Sequence, residues 1–155
     1  MKKILFACAV ASLGIGAQTA AATTFPSLTT IYVGSGVVES GSPADTGTAT
    51  AIHCSNVSGL SADMRWLFLT GEGIVVNSIT ATLAHGQTET VATHAVAYLS
   101  GELLLNQGGF TDGVVNVEST QSAVFCSAYI LSAAAPASGV ALHLVRVNGN
   151  PGVEE

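Results

Sequence analysis

Apolar and polar residues alternate with a period near two through most of this chain, and no stretch carries a convincing amphipathic-helix pattern. The clearest run is Asp63 to Leu69, where Met64, Trp66 and Phe68 take one side while Arg65, Leu67 and Leu69 take the other. Similar runs predict strands over Thr29 to Val38, Thr48 to Asn56, Ile74 to Leu83, Thr88 to His94, Val114 to Ser119, Ala123 to Leu131 and Gly139 to Asn148. Gly34 and Gly36 mark a bulge or bend in the first of these. Turn-rich segments separate them, notably Glu39 to Gly47, Asn56 to Ala62, Asn106 to Gly113 and Ala133 to Ser138. Ala95 to Leu105 reads as two short strands broken at Ser100-Gly101, with a frayed helix as the alternative. Short strands at regular spacing predict an all-β antiparallel sandwich of about eight or nine strands.

The two ends read differently. Met1, Lys2 and Lys3 precede an uncharged apolar run from Ile4 to Ile15, which closes in Ala20-Ala21-Ala22. A basic start, a short apolar middle and a small-residue end predict a secretory signal peptide over residues 1–22. The run is too short to span a bilayer. A tether over 23–28, a sandwich domain over 29–148 and a polar tail over 149–155 complete the expected organisation, with no membrane span in the mature chain.

Cleavage changes the charge picture. It removes both lysines and leaves Arg65 and Arg146 against ten acidic residues, so the mature chain is more negative than the −6 of the full sequence. Such a surface repels nucleic acid and anionic lipid. Charged residues make up only 9% of the chain, so Ser, Thr, Asn and Gly must carry solubility. The profile points to a secreted protein, whether periplasmic, cell-surface or extracellular.

Cys8 is lost with the leader, leaving Cys54 and Cys126. Either they pair, or neither pairs within the chain. With Trp66 between them, these residues resemble the Cys…Trp…Cys frame of immunoglobulin-like domains. The resemblance implies one disulfide between the two sheets, with Trp66, flanked by Met64 and Phe68, packed on it in the core. The chain departs from the frame at Val124, where a tyrosine corner would place tyrosine, and the stretch from Trp66 to Cys126 has room for extra strands.

If that set faces inward, Leu67, Leu69, Phe125, Tyr129 and Leu131 point outward. Strands bearing the tryptophan and the second cysteine are neighbours in immunoglobulin-like sheets, so the resemblance implies one apolar patch, a candidate interface. The alternative is that residues 84–119 or the N-terminal run cover this face from within the chain.

Motifs for chemistry are sparse. Asp45-Thr46-Gly47 matches the signature around the catalytic aspartate of dimeric aspartic proteases. Ser42-Pro43-Ala44 before it reads as a turn, not as the apolar strand such an aspartate needs. His53, His85, His94 and His143 form no metal-ligand spacing, and Asp112 with Glu118 lacks a regular calcium-ligand pattern. Asn56-Val57-Ser58 fits a glycosylation acceptor. Neither a metal nor a cofactor is expected. The expected function is an exported, non-enzymatic structural or interaction module that associates with itself or with another envelope protein. A carbohydrate-binding or adhesion module is the alternative, with Phe110 as the one aromatic in a predicted loop, and an aspartic-type protease is the third.

Overall fold

Runs rich in β-branched and aromatic residues, set apart by glycine-containing turns, form ten strands in the computed structural model, which describes residues 27–40, 45–134 and 138–147. In chain order they are β1 (Thr29–Glu39), β2 (Thr48–Asn56), β3 (Ala62–Leu69), β4 (Val75–Leu83), β5 (Thr88–Ala92), β6 (Leu103–Leu104), β7 (Phe110–Ser119), β8 (Val124–Ser132), β9 (Gly139–Leu142) and β10 (Leu144–Arg146). The described residues contain no helix. The expected signal peptide over 1–22, most of the tether and the 149–155 tail lie outside the described residues.

Two five-stranded sheets result, the first in the order β10-β1-β7-β3-β4 and the second in the order β6-β5-β2-β8-β9. Every pairing is antiparallel except β5 with β6. The chain changes sheet between β1 and β2, β2 and β3, β4 and β5, β6 and β7, β7 and β8, and β9 and β10, so the fold is an all-β sandwich. Met64, Trp66 and Phe68 of β3 enter the space between the sheets beside Tyr32 and Val37 of β1, and Val115 and Val117 of β7. Ile52 and Cys54 of β2, Val91 of β5, and Val124 and Ala128 of β8 meet them from the other side. Fully burying a side chain as large as Phe68 stabilises the fold by roughly 1.5–3 kcal/mol relative to leaving it in water.

Cys54 and Cys126 form a disulfide, with their Cα atoms 4.2 Å apart. They sit directly opposite each other on β2 and β8, within the second sheet. The expected inter-sheet bridge is therefore corrected to a bridge between neighbouring strands. The cause is register: β2 and β8 pair continuously from Thr48↔Ser132 to Asn56↔Val124, which turns both cysteines to the core side. Trp66 lies in the opposite sheet, where β3 pairs with β7 and β4. Cys54 and Trp66 still share one buried core.

Three other expectations change. Of Ala95 to Leu105, only Leu103–Leu104 joins a sheet; the rest crosses the outer face of the second sheet, where Val96, Leu99 and Leu104 pack on Ala49, Ala51, Ala92, Leu131 and Ala133. Burial against small alanines decides this segment, not local pattern. The expected loop through Gly113 is strand from Phe110 onward, because Phe110 pairs with Glu39 and packs against the core. Gly113 permits it: a Cβ there would lie 2.7 Å from the Phe110 ring and 2.9 Å from the Leu69 carbonyl oxygen. Finally, the last predicted strand breaks at His143 and shares its halves between the two sheets. Gly34 makes space for the second half, since a Cβ there would come within 2.6 Å of Leu144.

Candidate functional site on the outer face of the disulfide sheet

The residues expected to form one outward patch are divided. Leu67 and Leu69 are half-buried on the outer face of the first sheet, opposite Asn116 and Val114. Phe125 and Tyr129 are 57% and 41% exposed on the outer face of the second sheet. Leu131 is only 7% exposed, roofed by the segment carrying Val96 and Leu99. The single patch is thus corrected: β3 and β8 are not neighbours but belong to different layers. Cover from within the chain, the other possibility, is realised only at Leu131.

What remains open is a face built by β5, β2 and β8. Period-two alternation sends Ser55, His53 and Ala51 outward from β2, opposite Phe125, Ser127 and Tyr129 of β8, while Thr88 and Thr90 of β5 lie across from Ser55 and His53. The hydroxyls of Ser55 and Thr88 hydrogen-bond at 2.6 Å. His53 Nδ1 lies 2.8 Å from the Thr90 hydroxyl, and its ring meets Tyr129 edge-on at 6.0 Å between centroids. Those contacts bury part of the imidazole, and burial lowers its pKa below the ordinary 6.5. Neutral histidine therefore predominates at neutral pH, and the middle of the face carries no formal charge.

Arg146 supplies charge only at the rim. Its guanidinium carbon is 5.8 Å from the ring centroids of both Phe125 and Tyr32, and Nη2 donates to the Ser122 carbonyl at 2.8 Å. Beside Tyr129 the surface dips into a hollow of about 310 Å³, lined by Ser127, Ala141 and His143 among others. Two exposed rings, hydroxyl rows and no central charge can hold an uncharged, flat or ridged partner.

The remaining candidates are placed elsewhere. Asp45 is exposed in a turn with φ of 61°, and the turn expected at Ser42-Pro43-Ala44 lies outside the described residues. Glu118 is engaged by Arg65, whose Nε donates to it at 2.6 Å. Asn56 is fully buried: its amide donates to the Leu60 and Leu83 carbonyls at 2.7 and 2.8 Å and accepts from the Ser58 backbone at 3.0 Å. That side chain organises a turn and is closed to a glycosylating enzyme. β8 separates the strands nearest His53 and His143. No group of three or more potential metal ligands occurs among the described residues, and no helix among them is long and apolar enough to cross a membrane. The sequence pattern gave no notice of the His53–Tyr129 contact, because it is diagonal across two strands whose register was unknown.

No family model, curated protein or solved structure matches this chain. Its class accordingly rests on its own geometry: a disulfide-bonded, two-sheet β-sandwich with one aromatic, uncharged sheet face.

Proposed function

We propose that the protein is an exported, non-enzymatic binding module of the cell envelope or extracellular space that engages a protein partner through the outer face of β5, β2 and β8. The observation that carries this reading is that Phe125 and Tyr129 stay exposed on a face whose other side chains, apart from His53, are small or hydroxylic. Aromatic side chains are enriched in the buried centres of interfaces. The basic, apolar, small-residue leader supports export, as does a formed disulfide, a bond that persists in oxidising compartments. Cosedimentation of the mature chain with isolated cell envelopes of the producing organism tests it. Wild type is expected to pellet and the Phe125→Asp/Tyr129→Ser variant to stay in solution; equal partition of the two refutes the reading.

One observation also favours a second reading, a neutral polysaccharide. The Ser55–Thr88 and His53–Thr90 pairs set hydroxyls beside the rings, as stacking against sugars would use. Retention on insoluble glucan, lost in the same double variant, supports it, and no retention on any glycan excludes it.

A further inference from the structure

Four strands end the two sheets, and three are blunt: β6 has two residues, β10 three and β9 four. β4 has nine. Proteins protect long edges with lysine, proline or bulges, because unpaired amides and carbonyls template pairing with another chain. Val75–Leu83 contains no charged residue and no proline, and its one register shift sits at the end, opposite Phe68 and Leu69. Among the described residues no strand pairs with its far side. Two of its backbone groups are occupied by side chains: Ser78 N–H donates to Asn77 Oδ1 and the Leu83 carbonyl accepts from Asn56. Ile79 and Ala81 face the core but are only half-buried, because the sheet stops beside them.

We propose that β4 pairs antiparallel with β4 of a second copy of this chain across a two-fold axis, joining the two first sheets into one. Charge confines any contact between copies to such an edge. An excess of acidic residues makes copies repel over most of their surface, whereas β4 offers a charge-free line. The pattern is also self-complementary. In a register centred on Ile79, the isoleucines meet on the core side while Ser78 faces Thr80 on the outer side, twice by symmetry. The axis of an antiparallel pair stands perpendicular to the sheet, so both disulfide sheets lie on one side. If the aromatic face is the binding face, as proposed above, the dimer presents two of them in one direction and gains avidity. That consequence rests on the binding reading; the pairing does not.

Sedimentation velocity over a concentration series of the mature chain tests it, with Ser78→Lys/Thr80→Lys and Ser78→Glu/Thr80→Glu as variants. Both positions are exposed, and thermal melts confirm that the variants fold. Wild type is expected to pass from monomer to dimer. Each double variant is expected to weaken dimerisation roughly a hundredfold through like charges facing each other, and an equimolar mixture of the two to restore it. Wild type that stays monomeric overturns the proposal, as do folded variants that dimerise like wild type or a mixture that stays monomeric. Phe125→Asp leaves the dimer intact if β4 is the contact. Loss of the dimer in Phe125→Asp alone moves self-association to the other sheet and overturns the proposal, whereas loss of envelope binding alone does not touch it.

Discussion

His94 Nδ1 lies 3.5 Å from Glu39 Oε1, and both side chains are more than nine-tenths buried. His94 Nε2 is 2.8 Å from the Thr46 carbonyl oxygen, so that nitrogen carries hydrogen and donates. Nδ1 then confronts a carboxylate across a gap where one proton is needed to avoid lone pair against charge. Neither Nδ1 nor Glu39 Oε2 has a hydrogen-bond partner. The pair joins the end of β1 to the start of the segment that roofs the second sheet.

Burial raises the Glu39 pKa above its ordinary 4.5, and the charge of His94 offsets this only in part. The folded state therefore holds the proton more tightly than the unfolded chain. The associated stability is fully present below the unfolded pKa near 4.5 and is lost as pH rises through the higher folded value. Glu39→Gln keeps the shape and removes the titration. In thermal melts its Tm relative to wild type is expected to climb between pH 4.5 and neutrality; a difference that does not vary with pH contradicts the assignment.

The position of the disulfide sets a second expectation. Cys54 and Cys126 are 72 residues apart, and on the chain-entropy model closing such a loop contributes roughly 4 kcal/mol. The bridge joins strands already paired over nine residue pairs, so it does not hold the two sheets together. Cys54→Ala/Cys126→Ala is expected to lose up to about 4 kcal/mol in urea denaturation, while its circular dichroism remains that of a β-sandwich. Collapse of the strand signal in the folded baseline would contradict this.

Local alternation carried most of the strand positions, because one face of each sheet is buried and a period of two follows directly. Trp66, Met64 and Phe68 lie inward by that rule. Which strands are neighbours is a different kind of information. It depends on long-range pairing, and the three residues that resemble an immunoglobulin frame do not encode it; hence the misplaced bridge and the patch divided between two sheets. Burial of Glu39 and His94 was equally hidden: Glu39 opens a stretch rich in glycine and proline that looks like solvent-exposed loop, and His94 closes a predicted strand with nothing in the local pattern to place a carboxylate against it.

Asn56 provides the third expectation. Its amide N–H groups satisfy two carbonyls, that of Leu83 in a buried setting. Asn56→Ala leaves that acceptor unpaired and is expected to cost about 1–3 kcal/mol in chemical denaturation. Asn56→Asp sets carboxylate oxygen against those carbonyls. It is expected to be the worse of the two at neutral pH and to recover in acid, where the protonated side chain donates again. An aspartate variant no less stable than the alanine one at neutral pH would show that the amide donors do not matter.

Tyr129 and His53 give a spectroscopic test of the aromatic face. The Tyr129 ring shields the imidazole on one side, and burial lowers the His53 pKa below 6.5. A histidine lowered in the fold binds fewer protons there than in the unfolded chain, so its contribution to stability is present above pH 6.5 and is lost as pH falls through the folded value. Tyr129→Ala admits water to the ring and is expected to move the His53 titration, followed by NMR, back toward 6.5. Because Tyr129 is 41% exposed, the substitution is expected to change stability by less than about 1 kcal/mol. If the His53 midpoint stays where it is in wild type, Tyr129 is not what shields it, and the two rings do not form one surface in solution.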